Sequence, residues 1–183
     1  MNSIPASEDH NLTARKWSHD IYDVFKKQDI TMVSYVPDAG HANLIRLCQE
    51  DRAMRSVVLT TEEEGIAFAT GAYLGGKRAA LLMQSSGVGN CINMLSLIKT
   101  CGIPFLALIT MRGEWGEFNP WQVTMGQGTP AALAAVGILL HRVSEAAEVH
   151  DAVLSAAKLA FDSYRGVAVL LSQRLIGTKH FSR

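Results

Sequence analysis

Thr60-Thr61-Glu62-Glu63-Glu64-Gly65-Ile66-Ala67-Phe68-Ala69-Thr70-Gly71-Ala72-Tyr73 follows directly on the apolar run Ser56-Val57-Val58-Leu59. A strand-like run passing straight into a helix of small residues is the βα step of an open α/β sheet, and such sheets bind ligands beyond the carboxyl ends of their strands. The glutamates at this helix mouth admit two readings. In the structural one, acids in a first turn complement the helix dipole, and Thr60 with Glu63, or Thr61 with Glu64, has the Thr-x-x-Glu spacing of a capping box. In the catalytic one, the carboxylates surplus to a single box are there for chemistry.

Working outward, apolar β-rich runs at residues 31–36, 55–59, 79–84, 104–110, 138–143 and 167–171 alternate with helical patterns at 12–28, 41–50, 62–74, 89–100 and 145–164. Ile92, Leu95 and Ile98 lie on one helical stripe, and Ala147, Val153, Leu154, Ala157 and Phe161 on another. Continuous apolar strands need cover on both sides, so the alternation predicts an α/β fold: an open, doubly wound, mainly parallel six-stranded sheet with helices on both faces. Thr129-Pro130 reads as a further helix start, with proline at the first helical position. Residues 1–11 and 174–183 are expected to be solvated tails around a domain at 12–173, with Lys179, His180 and Arg183 available to dock on a partner.

The chain has 183 residues, 48% of them hydrophobic, and 17 basic against 17 acidic side chains. That is enough for one well-buried core. Zero formal charge without a Lys/Arg cluster argues against nucleic acid or an anionic membrane surface as partner and points to small-molecule chemistry. Cys48, Cys91 and Cys101 show no CxxC pair, so reduced core thiols in a cytoplasmic protein are expected. No run is long and apolar enough for a membrane span, and the start carries no secretory pattern.

The loops at the strands' carboxyl ends hold the candidate chemistry. After the first strand comes Pro37-Asp38-Ala39-Gly40-His41-Ala42-Asn43, where Asp38 is either a helix cap or a proton relay and substrate contact. After the third comes Ser85-Ser86-Gly87-Val88-Gly89-Asn90, whose glycines let backbone N–H groups approach an anion, although the turn is neither GxGxxG nor a P-loop. After the fourth, residues 111–128 form a long loop carrying Arg112, Trp115, Phe118, Trp121 and Gln122. Aromatic area of that size is normally buried, so a partner subunit or a substrate is expected to cover it.

Val36-Pro37-Asp38, Glu63-Glu64-Gly65, Leu82-Met83-Gln84-Ser85-Ser86-Gly87-Val88-Gly89-Asn90, Arg112-Gly113-Glu114 and Gly116-Glu117-Phe118, in this order, resemble the pyrimidine-binding domain of thiamine diphosphate enzymes. Within that group they are most similar to the branch of sulfopyruvate and phosphonopyruvate decarboxylases, over residues 12–172. The resemblance implies that Glu63 contacts the aminopyrimidine ring of thiamine diphosphate, with Glu64 the alternative. A protonated carboxyl donating to the ring nitrogen favours the imino tautomer, whose exocyclic nitrogen then takes up the thiazolium proton. Apolar Ile66, Ala67 and Phe68 and the like charges of Glu62 and Glu64 favour the protonated form.

By their place at the strand ends, Asp38 and His41 are further catalytic candidates, with His41 the candidate proton donor for aldehyde release; Gly87 and Asn90 are candidate cofactor contacts, and Arg112, Asn90 and Gln122 candidate substrate contacts. A guanidinium fork suits the second anionic group of a small 2-oxo acid, while an ion pair with Glu114 or Glu117 is the competing role of Arg112. The Gly-Asp-Gly and Asn-Asn elements that hold Mg2+ and the diphosphate in this group are missing, so a beta subunit with a diphosphate-binding domain is expected to supply them. Self-association is also expected. Two departures stand out: there is no His-His pair, and Ala72 occupies a position usually held by glycine. A noncatalytic module holding a nucleotide at the Ser86-Gly87-Val88-Gly89 turn is the rival reading.

Overall fold

The computed structural model describes residues 6–177, with side chains from Lys16 onward. Helix α1 (Ala6–Lys27) leads into strand β1 (Ile30–Tyr35), helix α2 (Ala42–Glu50) and strand β2 (Arg55–Val58). Helix α3 (Glu63–Leu74), strand β3 (Arg78–Gln84), a 3-10 turn at Ser85–Gly87, helix α4 (Val88–Cys101) and strand β4 (Phe105–Thr110) follow. Helix α5 (Pro120–Ala135), strand β5 (Leu139–Val143), a 3-10 turn at Ala146–Glu148, helix α6 (Val149–Asp162), strand β6 (Gly166–Leu171) and helix α7 (Gln173–Ile176) complete the order.

The six strands form one sheet in the order β2-β1-β3-β4-β6-β5, and every neighbouring pair is parallel. Side chains alternate across a strand, so β3 sends Ala80 and Leu82 to one face and Ala79, Leu81 and Met83 to the other. The first face packs with β4 residues Leu106 and Leu108 under α1, α2 and α6, through Trp17, Phe25, Leu44 and Val153. The second packs with Ala107 and Ile109 under α3, α4 and α5, through Ile66, Leu95 and Leu133. Two apolar layers explain why β3 and β4 read as unbroken hydrophobic runs.

The order also fixes where a ligand can bind. From β1 the chain steps outward to β2 and then returns past β1 to β3, so the connections diverge between β1 and β3 and leave a crevice beyond their carboxyl ends. Helix α3 lies close on the sheet because Gly65 has no side chain: a Cβ there would collide with Leu81. Its outer face is bare, with open space around Gly71 and with Leu74 exposed.

Three expectations need correction. The fifth helix starts at Pro120, not at Thr129-Pro130, and Pro130 lies inside it. Asn119 accepts a hydrogen bond from the Trp121 N–H at 3.1 Å and Pro120 takes the first turn, so Asn-Pro is the start signal, ten residues before the pair Thr129-Pro130. Residues 174–176 are helical rather than a solvated tail, with Leu175 buried, and helix α1 reaches back to Ala6. Cys101 is exposed, whereas Cys48 and Cys91 are core thiols that burial holds up at about 12. Lys179, His180 and Arg183 lie outside the described residues.

Candidate active site

The crevice is built from the ends of three adjacent strands. Register places Gln84, the last residue of β3, opposite Thr110, the last of β4, and both are polar endings of apolar runs. Asp38, just past β1, bridges them: it accepts from the Thr110 hydroxyl at 2.5 Å and from the Gln84 amide at 3.1 Å. Ser86 donates to the Gln84 carbonyl oxygen at 2.9 Å. The helix-cap reading of Asp38 is set aside, since His41 is the residue that caps the start of α2 and no side chain makes a cap bond there. Gln84, Thr110 and Ser86 were given no role beside Asp38 from sequence, although a polar residue closing each apolar run at the crevice was the available signal.

His41 sits behind this cluster, fully buried. Its Nε2 lies 3.0 Å from the Leu108 carbonyl, which can only accept, so the proton is on Nε2 and Nδ1 is a buried acceptor without a protein partner. Burial pushes the imidazole below the ordinary histidine range, against the opposing pull of the Asp38 charge. In this state the ring is neutral and its only proton is committed to backbone, which is unlike the proton donor expected of it.

Among the glutamates at the α3 mouth, side chains diverge. Glu62 lies against the 3-10 turn, where a Cβ on Gly87 would collide with its carboxyl group, and it accepts from the Asn90 amide at 2.9 Å. Glu64 turns back to the Thr60 N–H at 2.8 Å, and neither Thr-x-x-Glu pair forms a reciprocal capping box. Glu63 is exposed and makes no hydrogen bond or ion pair among the described residues. Helix α3 thus brings one carboxylate to the Gly87–Asn90 turn, spends one on its own start, and leaves Glu63 free beside them.

Arg112 shows the opposite arrangement. Its Nε and Nη2 each lie 2.6 Å from the Glu117 carboxylate, and the two side chains are 8% and 3% exposed. The guanidinium holds the Glu117 carboxyl down at about 2, assisted by the Asn119 and Gly113 N–H groups and the Gln173 amide. Gln173, buried at the start of α7, accepts from the Glu114 and Trp115 N–H groups at 2.9 and 3.0 Å and donates to Glu117 at 2.9 Å. Arg142 on β5 pairs with Glu114 at 2.6 Å, and the Arg174 guanidinium stacks 3.9 Å over the Trp115 ring. The competing role of Arg112, pairing with Glu117, is the one realised; Nη1 is the nitrogen that Glu117 leaves. The pair with Glu117 was open to the sequence reading, since the two residues are five apart; Gln173 escaped it because β4 pairing with β6 is what brings α7 to the loop.

The loop after β4 is tied down, not loose. The Arg112 N–H donates to Ser85 at 3.0 Å, and Gln127 donates to the Gly113 carbonyl at 2.9 Å. Gly113 has φ +76°, and a Cβ on it or on Gly126 would strike the backbone of the facing segment, so helix α5 folds directly back on the loop. Gln122, in the first turn of α5, carries a buried Oε1 with no partner. Trp121 projects outward, 82% exposed. Among the described residues no group of three His, Cys, Asp or Glu side chains is arranged to hold a metal ion, and no helix is long and apolar enough to cross a membrane.

No family model matches the chain. Among solved structures, a 2-oxoglutarate:ferredoxin oxidoreductase from Magnetococcus marinus shares the fold, with a TM-score of 0.68 at 14% identity over 87% of this chain and 29% of that one. Sulfopyruvate decarboxylase subunit alpha of Methanococcus maripaludis is 36% identical over 155 residues, 84% of this chain and 93% of the relative. The subunit of the same description in Methanocaldococcus jannaschii is 36% identical over 82% of this chain and 89% of its own length. Identity at that level across nearly the whole of both chains, with the crevice residues placed as described, shows that the chain belongs to the sulfopyruvate decarboxylase alpha-subunit family.

Proposed function

We propose that this chain is the alpha subunit of a thiamine diphosphate-dependent decarboxylase, converting 3-sulfopyruvate to sulfoacetaldehyde and carbon dioxide together with a beta subunit. The similarity to two sulfopyruvate decarboxylase alpha subunits over more than four-fifths of the chain carries this reading. The proposed assembly sits in the cytoplasm, and the bare face of α3 is where copies of the chain would associate.

The residues fit the pyrimidine end of the cofactor. Glu63 is uncommitted at a helix mouth, and the adjoining turn is held there by Glu62, whose carboxyl group fills the space a Cβ on Gly87 would take. When bound, thiamine diphosphate supplies a thiazolium that acts as nucleophile and electron sink. Glu63 is the residue that would meet the pyrimidine ring nitrogen of the bound cofactor. Gly87 and Asn90 line the same turn, with Glu62 fixing the Asn90 amide. Mg2+ and the diphosphate belong to the beta subunit in this reading. Asp38, at the crevice between β1 and β3, handles the proton that ends on the aldehyde carbon, with His41 packed behind it. Asn90 and Gln122 line the substrate side, and Arg112 meets the sulfonate through Nη1 while its other nitrogens hold the loop.

The test mixes this chain with its beta subunit, thiamine diphosphate and magnesium, and compares carbon dioxide release from sulfopyruvate, phosphonopyruvate and pyruvate. Release from sulfopyruvate only with both subunits present is the expected result. Preference for phosphonopyruvate moves the substrate assignment to the neighbouring branch, and release from none of the acids defeats the decarboxylase reading. Nucleotide binding by the isolated chain is what the noncatalytic alternative requires.

A further inference from the structure

We infer that Thr110 and Gln84 are positioning residues that clamp the Asp38 carboxylate between two neighbouring strands and so set the direction of its proton exchange. The inference rests on the decarboxylase reading for the proton's purpose, but its geometry stands by itself. Thr110 and Gln84 pair in register at the ends of β4 and β3, and each donates to a different oxygen of Asp38: Thr110 to Oδ2 at 2.5 Å, Gln84 to Oδ1 at 3.1 Å. Asp38, which as a carboxylate only accepts, draws the Gln84 amide nitrogen, and the carbonyl oxygen of the same amide then accepts from the Ser86 hydroxyl at 2.9 Å. The chain Ser86–Gln84–Asp38–Thr110 therefore spans the ends of the strands on both sides of the β1/β3 divergence.

The clamp is closed on a third side by backbone. A Cβ built on Gly40 would lie 2.7 Å from Thr110 Cγ2 and 3.0 Å from Asp38 Oδ2, so only glycine lets the approach to α2 run this close. A carboxylate whose job was to cap α2 would face the helix N–H groups instead, and α2 receives no such bond. Asp38 also lines an open cavity of about 480 Å³ with Tyr35, Pro37, Ala39 and Arg46, so the clamped group stays accessible from solvent. Decarboxylation of a 2-oxo acid anion releases carbon dioxide and consumes one proton, which ends on the aldehyde carbon. Asp38 takes that proton from water and passes it on, and the two donors determine which lone pairs remain to do so.

Positioning errors of about 1 Å cost roughly a hundredfold in rate, which sets the scale expected here. In the assembled complex on sulfopyruvate, Thr110→Val lowers kcat about ten- to a hundredfold with KM held within about twofold, and Thr110→Ser, which keeps the hydroxyl, restores most of kcat. Gln84→Met, at a half-buried site where folding is less at risk, lowers kcat in the same way with KM unchanged. A readout independent of turnover comes from the isolated chain: the Thr110 hydroxyl proton is slow to exchange in the proton NMR spectrum and moves on Asp38→Asn. Unchanged kcat in Thr110→Val and Gln84→Met with an active wild type overturns the clamp, as does a rise in KM alone, or a loss that Thr110→Ser fails to reverse. An inactive wild type overturns the decarboxylase reading instead, and the hydroxyl proton then decides the clamp: exchange at the solvent rate, or no response to Asp38→Asn, sinks it.

Discussion

The mouth of α3 and the loop after β4 both present charge at the carboxyl edge of one sheet, yet they treat it in opposite ways. At the loop, Arg112 and Glu117 are buried, bidentate and further satisfied by Gln173, so each charge is consumed inside the chain. At the helix, Glu63 is exposed and unbonded while its neighbours Glu62 and Glu64 are engaged with Asn90 and Thr60. A buried, fully paired charge holds structure in place, and removing one member strands the other. A free carboxylate at a crevice contributes little to stability and is available to a ligand. The contrast separates the two residue types that the sequence singled out for chemistry: the acid is left open, while the base is mostly spent.

Breaking the open side should have the larger effect on activity. Glu63→Gln, measured as carbon dioxide release by the assembled complex, is expected to lose about 10²- to 10⁴-fold in kcat, the range a positioned proton-transfer group supplies, with the thermal midpoint of the chain nearly unchanged. Breaking the closed side should act on stability: Glu117→Ala leaves the Arg112 guanidinium buried without its partner and is expected to cost about 3–5 kcal/mol in urea unfolding. Equal losses of activity and stability in both variants would erase the distinction.

The closed side can also be probed with protons. Arg112 depresses the Glu117 carboxyl from its ordinary 4.5 to about 2, so the folded state binds this proton less tightly than the unfolded chain does. Its contribution to stability is complete above about pH 4.5 and is lost as pH falls toward 2. The stability gap between wild type and Glu117→Gln should therefore narrow on acidification through that window, and a gap independent of pH would mean the pair is not formed. The smallest effect is reserved for Glu62→Gln, which keeps an oxygen for Asn90: about 1 kcal/mol or less in stability and at most a severalfold change in turnover. Loss of turnover with Glu62→Gln but not with Glu63→Gln would move the cofactor contact by one residue, toward the carboxylate that already lies over Gly87.

Much of this fold was legible because its strands are buried on both faces. Runs such as Arg78–Gln84 and Phe105–Thr110 carry no polar interruption, and their spacing leaves room for one helix between each pair. The start of α5 was missed because Gly126, Gly128 and Pro130 all read as helix breakers. In the structure Gly126 is needed for close approach to the Arg112 carbonyl, and Thr129 bonds the Met125 and Ser85 carbonyls, so tertiary packing overrides local preference. The site was half legible for a similar reason. Glu63 and Asp38 stand just past strands and were candidates by position, whereas Gln84 lies 46 positions from Asp38 and Gln173 lies 56 from Glu117, separations that only the folded sheet closes.

The indoles lie at three depths: Trp17 is 1% exposed, Trp115 53% and Trp121 82%. Trp121 stands on a helix whose start is pinned by the loop network, so its contact with water is a fixed property of this surface and not a by-product of local motion. A chromophore held in that way reports its own surroundings. Titration with a second polypeptide that covers this corner would shift the emission toward the blue, giving a label-free signal of assembly without any substrate being turned over.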